Sequence, residues 1–331
     1  MADISIIICT YNPDERLLQR CLQAVSGLKR DKLQVECLLI DNNSNPPAGD
    51  TKIVQDFLQR SSWARLLVEP TAGLTLARIL GYKNSTAPVI VFFDDDNEPE
   101  ENYLLGTMDF VRRHPKAGIF GPGHITVDFI DGAKKSVSNF KKLYQEIHVA
   151  AEQYDTTTDA YPSCYPYGTG MVVRKEVMEA YTNRVMEGNL ATLGRKGTAL
   201  TGGEDVQIVW IGLRMGFAAG RTPLLSLKHL INGKKSNFLY LKRLAYGGGL
   251  STLPARYEIF PEEKDHTSNT RTETRKSIWK ICKIIAVNFY KPRAILLGIA
   301  WQAGYLQSIY DVNNKELTGI VRWIKRVLKL N

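Results

Sequence analysis

The sequence holds no Cys-x-x-Cys pair, and its five cysteines are scattered at Cys9, Cys21, Cys37, Cys164 and Cys282. That pattern excludes a disulfide scaffold and gives no zinc-site spacing, so a reducing compartment is expected. Cys9 and Cys37 lie in apolar runs, where a thiol is a small hydrophobe. The amino terminus lacks a basic region followed by a cleavable apolar stretch, which argues against a signal peptide and for a cytoplasmic location. No apolar run reaches the ~20 residues of a membrane-spanning helix. Ala294 to Tyr310 comes nearest, with 17 uncharged residues, but Gln302, Gln307 and Ser308 interrupt it. Repeats and low-complexity tracts are also missing. What remains is a chain of 331 residues, 44% hydrophobic and 23% charged. It is long enough for one large domain with an appendage.

Charge is distributed unevenly. Residues 1–225 carry 24 Lys/Arg and 27 Asp/Glu, whereas residues 226–331 carry 19 and 7, a net of +12. An excess confined to the last third points to a polyanionic partner for that part alone. Ile320 to Lys329 interleaves apolar and basic residues at helical spacing, as an interfacial helix does. An anionic membrane surface is therefore the expected partner. A basic, solvated face on helices packed against the rest of the protein is the plainer alternative.

Four short apolar runs, Ile4–Cys9, Val35–Ile40, Ala64–Val68 and Val89–Phe93, read as strands covered on both faces. Asn12-Pro13-Asp14-Glu15 reads as a helix start with Asn12 as N-cap, followed by Leu17, Leu18, Cys21, Leu22 and Val25 at helical spacing. Further helices are expected from Leu74, from about Pro99 to His114, from Lys135 to about Tyr154, and from Val206 to Met215. Met171 to Val173 reads as a strand, and the chain past about 226 as helices. The alternation predicts an α/β fold with a doubly wound sheet, whose ligands gather at the carboxyl ends of the strands. Those ends carry Thr10-Tyr11-Asn12, Asp41-Asn42-Asn43-Ser44 and Asp94-Asp95-Asp96-Asn97.

Three adjacent carboxylates after a buried strand repel one another unless a cation lies among them. Mg2+ held by one or two carboxylates and by substrate phosphates suits a nucleotide diphosphate. The bland reading of Asp94–Asp96 is an acidic loop at a sheet edge. Asp41 reads equally as an Asx turn or as an acceptor of hydrogen bonds from a base or ribose. Glu204-Asp205 follows Gly202-Gly203 at a helix start, where the dipole favours a carboxylate anion. Such a group can act as a general base or simply open an acidic first turn. His229, alone beside an apolar run, is by itself more often a core residue than a ligand.

These landmarks, taken in order, resemble glycosyltransferase family 2, inverting enzymes of the GT-A fold. They are Ser5–Asn12, Leu39–Ser44, Gly73–Arg78, Phe93–Asp96, Gly202–Asp205, and His229 followed by Gly233 and Ser236. The resemblance implies a Rossmann-like nucleotide-binding sheet fused to an acceptor-binding part, with a C-terminal helical extension. Residues 1–225 would be catalytic, 1–100 binding nucleotide and 101–225 the sugar and acceptor, and 226–331 basic and mainly helical. It implies a nucleotide pocket from Thr10, Tyr11, Asn12, Asp41, Arg78, Asp94 and Asp95. It implies Mg2+ or Mn2+ held by Asp96 with Asp94, and His229 as a further ligand. Asp205 would be the catalytic base and Glu204 an acceptor contact, with Tyr167, Gly168, Thr169 and Gly203 shaping the sugar and acceptor pocket. The implied partners are a nucleotide-sugar, preferably a UDP-sugar, and a glycan or lipid-linked acceptor of bacterial polysaccharide assembly. The family usually has Asn where Leu80 stands here, so donor contacts at that segment differ.

Two other functions compete. A nucleotidyltransferase also joins an α/β sheet to an acidic metal site, but would carry a glycine-rich basic loop after the first strand. A nucleic-acid-binding protein would account for the basic last third. No nucleic-acid module is recognisable, and no nucleic-acid partner is expected.

Overall fold

The computed structural model describes residues 2–191, 194, 200–267 and 269–330. Among them, one ten-stranded sheet organises the chain. Strands β1 (Ile4–Thr10), β2 (Val35–Asp41), β3 (Ala64–Val68) and β4 (Val89–Asp94) are the four apolar runs, parallel and ordered β3-β2-β1-β4. Ile4, Ile6 and Ile8 point into one core, Ile7 and Cys9 into the other. Side chains that alternate between two apolar faces leave no polar face, which is why these runs show no polar alternation. Strand order reverses between β1 and β4, and such a switch point opens a crevice at the carboxyl ends.

Strands β5 (Asn97–Pro99), β6 (Ala117–Phe129), β7 (Ile147–His148), β8 (Gln153–Asp155), β9 (Val172–Arg174) and β10 (Ala218–Ile231) extend the sheet. Past β4 the order is β9-β6-β10-β5. The short β9 is antiparallel to β4 and β6, while β10 is parallel to β6 and antiparallel to β5. Helices α1 (Glu15–Ser26), α2 (Lys52–Arg60) and α4 (Tyr103–Arg113) cover one face of the sheet. Helices α3 (Leu74–Asn84), α6 (Lys175–Met186) and α7 (Glu204–Arg214) cover the other. Between these lies α5 (Lys135–Ser138), and α8 (Phe238–Ile259), α9 (Thr270–Val287), α10 (Pro292–Val312) and α11 (Gly319–Leu328) follow the sheet. No helix among the described residues is long and apolar enough to cross a membrane.

Four local expectations change. The cap of α1 is Asp14, whose side chain accepts from Arg16 N, while Asn12 takes a left-handed φ of 46°. Helix α2 is capped by Thr51 accepting from Val54 N and has too few residues for its periodicity to stand out. The helix expected over 135–154 stops at Ser138. A 3-10 turn over Lys141–Tyr144 follows, Gln145 goes left-handed at φ 71°, and β7 and β8 take the rest. The left-handed turn at Gln145 lets Ile147 and His148 pair with β6, while Phe140 and Tyr144 pack into the core formed with the C-terminal helices. Finally, β10 crosses position 225 and the helices begin at Phe238.

Helices α8 and α10 pack with their backbones in contact. A side-chain carbon on Gly249 would run into the Trp301 carbonyl, and one on Gly304 into the Tyr246 carbonyl. Only glycine permits that approach.

Candidate active site

A cleft of about 380 Å³ opens over the carboxyl ends of β1 and β4. Thr10 ends β1, and its hydroxyl donates to Asp95 Oδ2 at 2.6 Å, across the point where strand order reverses. The acidic triplet is pinned by Asn97, whose Oδ1 accepts from Asp94 N and whose Nδ2 donates to Asp96 Oδ1 at 3.1 Å. Antiparallel pairing of β5 with β10 sets His229 opposite Asn97. His229 Nε2 thereby comes within 3.5 Å of Asp96 Oδ1. Its other nitrogen, Nδ1, lies 2.8 Å from the Tyr144 carbonyl. A carbonyl only accepts, so Nδ1 donates to it, and Nε2 is the nitrogen that faces Asp96.

Lys235 completes this end of the cleft, with Nζ 2.7 Å from Asp96 Oδ2. Burial opposes ionisation of Asp96, but Lys235 and then His229 outweigh it and hold the carboxyl well below its usual range. Asp95 moves the other way, raised first by burial and next by the charge of Asp96. Crowded carboxylates thus share their charge unequally, and an added cation would relieve them.

The opposite end is built on Arg78, from α3. Asn42 places that helix by accepting from Gly73 N at 2.7 Å and donating to the Thr71 carbonyl at 2.8 Å. The Arg78 side chain is 3% exposed and reaches Asp94 Oδ1 at 3.5 Å and Glu204 Oε1 at 3.4 Å. One guanidinium therefore ties the metal-type end to the start of α7. Asp205 accepts from Val206 N at 2.9 Å and from Gly168 N at 3.0 Å. Burial, then the charge of Glu204, raises the Asp205 carboxyl above its usual range, with Arg78 opposing. A carboxylate with a raised proton affinity is a stronger base.

Of the residues singled out in the sequence, Thr10, Tyr11, Arg78, Asp94, Asp95, Asp96, Gly168, Thr169, Glu204, Asp205 and His229 line this one cleft. The others lie behind it. Asp41 is buried, and its two oxygens accept from Ser44 N and Ala48 N, the Asx-turn alternative. Asn12 faces the same loop, accepting from Asn45 N. Tyr167 packs under the buried Arg221 guanidinium, 4.2 Å from its ring. Gly203 donates to Glu204 Oε2 at 3.2 Å. Missed by the sequence reading were Asn42, Lys235, Tyr144, Tyr240 and Leu244, all in the cleft wall. Lys235 stands between Gly233 and Ser236 and was within reach of that motif. Tyr144 and the α8 residues Tyr240 and Leu244 arrive by tertiary packing and carry no local signal.

Among the described residues, no group of three or more His, Cys, Asp or Glu surrounds a common ion position. The donor set nevertheless fits a divalent cation that takes its remaining ligands from a diphosphate. Asp96 Oδ1 and His229 Nε2 face each other, and the Tyr144 carbonyl fixes the imidazole as a second-shell acceptor does.

The sequence model of glycosyl transferase family 2 matches residues 5–182, more than half of the chain. Glycosyltransferase AglE of Haloferax volcanii is 29% identical over 157 residues, 47% of this chain and 45% of that protein. The succinoglycan biosynthesis protein ExoM of Rhizobium meliloti is 28% identical over 121 residues, 36% of this chain and 38% of that one. Probable glycosyltransferase YdaM of Bacillus subtilis is 28% identical over 119 residues, 35% and 28% of the two chains. The matched part is thus less than half the length of each of these relatives. A solved mannosyltransferase from Pyrobaculum calidifontis, in complex with GDP-Man and Mn2+, has a TM-score of 0.55 at 15% identity. That match covers 95% of this chain and 88% of that one, and it shows the shared GT-A fold. Given a family match of that extent on that fold, the chain belongs to glycosyl transferase family 2.

Proposed function

We propose that the protein transfers a sugar, with inversion, from a nucleotide-sugar to a hydroxyl of a glycan or lipid-linked acceptor. A UDP-sugar is the preferred donor, and capsule, exopolysaccharide or O-antigen assembly the setting. One observation carries the reading: a single guanidinium, that of Arg78, links the acidic triplet end of the cleft to the Glu204–Asp205 helix start. A cation-binding end and a basic carboxylate so spaced can hold a diphosphate leaving group and an attacking hydroxyl at once.

Thr10, Tyr11, Arg78, Asp94 and Asp95 contact the nucleotide, while Asp41 and Asn12 hold the loop behind it. Asp96 and His229, with Asp94 nearby, hold Mg2+ or Mn2+. When bound, the ion neutralises charge developing on the departing diphosphate. Asp205 takes the proton of the acceptor hydroxyl, whose oxygen bonds to the anomeric carbon as the bond to the diphosphate oxygen breaks. That one displacement inverts the anomeric centre. Glu204, Gly168 and Thr169 orient the acceptor and sugar, and the basic C-terminal helices rest on an anionic membrane surface.

The test is donor binding by calorimetry with UDP-, GDP- and dTDP-sugars and Mn2+, followed by release of the nucleoside diphosphate. One sugar nucleotide should bind and turn over only with metal. If none binds with Mn2+ present, the reading is overturned.

A further inference from the structure

Helix α9 is built inside out. The residues it buries are Thr270, Glu273 and Ser277, while large apolar side chains stand exposed among its basic ones. Ile278 is 41% exposed, Trp279 65%, Ile285 44% and Val287 60%, and the turn beyond adds Phe289 at 77% and Tyr290 at 62%. Contact with α10 runs through Ile284, which lies over Gly298. An exposed Trp or Phe alone is ordinary; a contiguous apolar strip on a helix that buries polar residues calls for a covering surface.

Charge identifies what covers it. From Arg271 to Arg293 the chain has seven Lys/Arg and one acid, Glu273. All seven cations are exposed, whereas Glu273 is buried and 2.6 Å from Lys276 Nζ. Lys283 reaches over the Trp279 ring at 5.5 Å and Lys291 over Tyr290 at 4.9 Å. Aromatic rings flanked by lysines suit the boundary between acyl chains and anionic headgroups, where the rings enter and the ammonium groups stay with phosphate.

We infer that residues 278–290, the second half of α9 and its turn, form the surface that enters the headgroup layer of an anionic membrane. The inference rests on the proposed membrane association and narrows it. Helix α11 also exposes apolar residues, Ile320, Trp323 and Val327, but its docking is explained by the burial of Val321, Ile324 and Leu328. On α9 the buried residues are polar, and Ile284, which packs over Gly298, is only half-buried.

The experiment uses full-length protein with vesicles of phosphatidylglycerol and phosphatidylcholine, or phosphatidylcholine alone, at low salt. The parent should sediment with the anionic vesicles and largely ignore the neutral ones. Trp279→Glu with Phe289→Glu should lower the apparent partition coefficient at least roughly tenfold, the loss of two buried rings. Thermal unfolding and donor binding should not change, because both side chains are exposed and neither lines the cleft. Equal binding by parent and double variant overturns the surface while leaving membrane association standing. A parent that ignores anionic vesicles overturns both. A dimer that the double variant dissolves, without vesicle binding, makes a second copy of the chain the occupant and overturns the inference.

Discussion

The ammonium of Lys235 lies 2.7 Å from Asp96 Oδ2, on the carboxylate that also faces His229 Nε2. A side-chain cation thus stands where a divalent ion would draw on the same oxygens. Lys235→Met should tighten Mn2+ binding to the donor-free protein by about tenfold, or ~1.4 kcal/mol. Donor KM should rise, because one charge facing the diphosphate is gone. Electron paramagnetic resonance of Mn2+ titrations reads the first effect without turnover. Unchanged or weaker Mn2+ binding would show that Lys235 does not compete there.

Asp96→Ala should abolish metal-dependent turnover with a modest effect on folding. Parent protein stripped with chelator should recover with added Mn2+ or Mg2+, while the variant should not. Activity of Asp96→Ala within a few-fold of the parent would move the metal elsewhere.

Asp205 accepts from Val206 N on Oδ1 and from Gly168 N on Oδ2, so Asp205→Asn keeps only one of these bonds and cannot take a proton. It should reduce kcat by roughly 10²–10⁴-fold with donor affinity retained. Because the Asp205 carboxyl is raised, the acid limb of the parent's kcat profile should lie above the ordinary Asp value of 3.8. The stability sign is opposite to that of a salt-bridged acid. Below 3.8 the carboxyl is protonated in folded and unfolded chains alike and contributes nothing. As pH rises through the folded-state value, ionisation in the folded protein is disfavoured and costs stability. Denaturant unfolding should therefore find the parent losing stability relative to the Asn variant as pH rises from acid to neutral. A parent that gains stability relative to the variant over that range would contradict the raised value.

Arg78 neutralises Asp94 and Glu204 from a position 3% exposed. Arg78→Met leaves Glu204 buried and uncompensated, a loss of roughly 3–5 kcal/mol. Adding Glu204→Gln should recover part of it. Additive losses in that double-mutant cycle would mean the two side chains do not interact.

The inner strands were legible because burial on both faces imposes an unbroken apolar run, and Ile4–Cys9 or Val89–Phe93 admit few other readings. The rim followed, since Thr10 and Asp94 must end neighbouring strands once these are parallel. Asp41 stayed open between two readings because an Asx turn and a ligand contact require the same residue at the same strand end. Segment 135–154 did mislead. Its helical spacing is real, but Tyr144 stacks on Tyr240 and its hydroxyl donates to the Lys235 carbonyl. Those partners lie far along the chain, where no local pattern points.

Helix α8 brings Tyr240 and Leu244 to the cleft while its glycine-lined flank is locked to α10. The outer wall of the site therefore belongs to the same structural unit as the helices that follow the sheet. A chimera that grafts another acceptor preference onto this sheet cannot splice at the end of β10. The junction must fall after Ile259 with α10 supplied in register, or the transplanted cleft will lack a side.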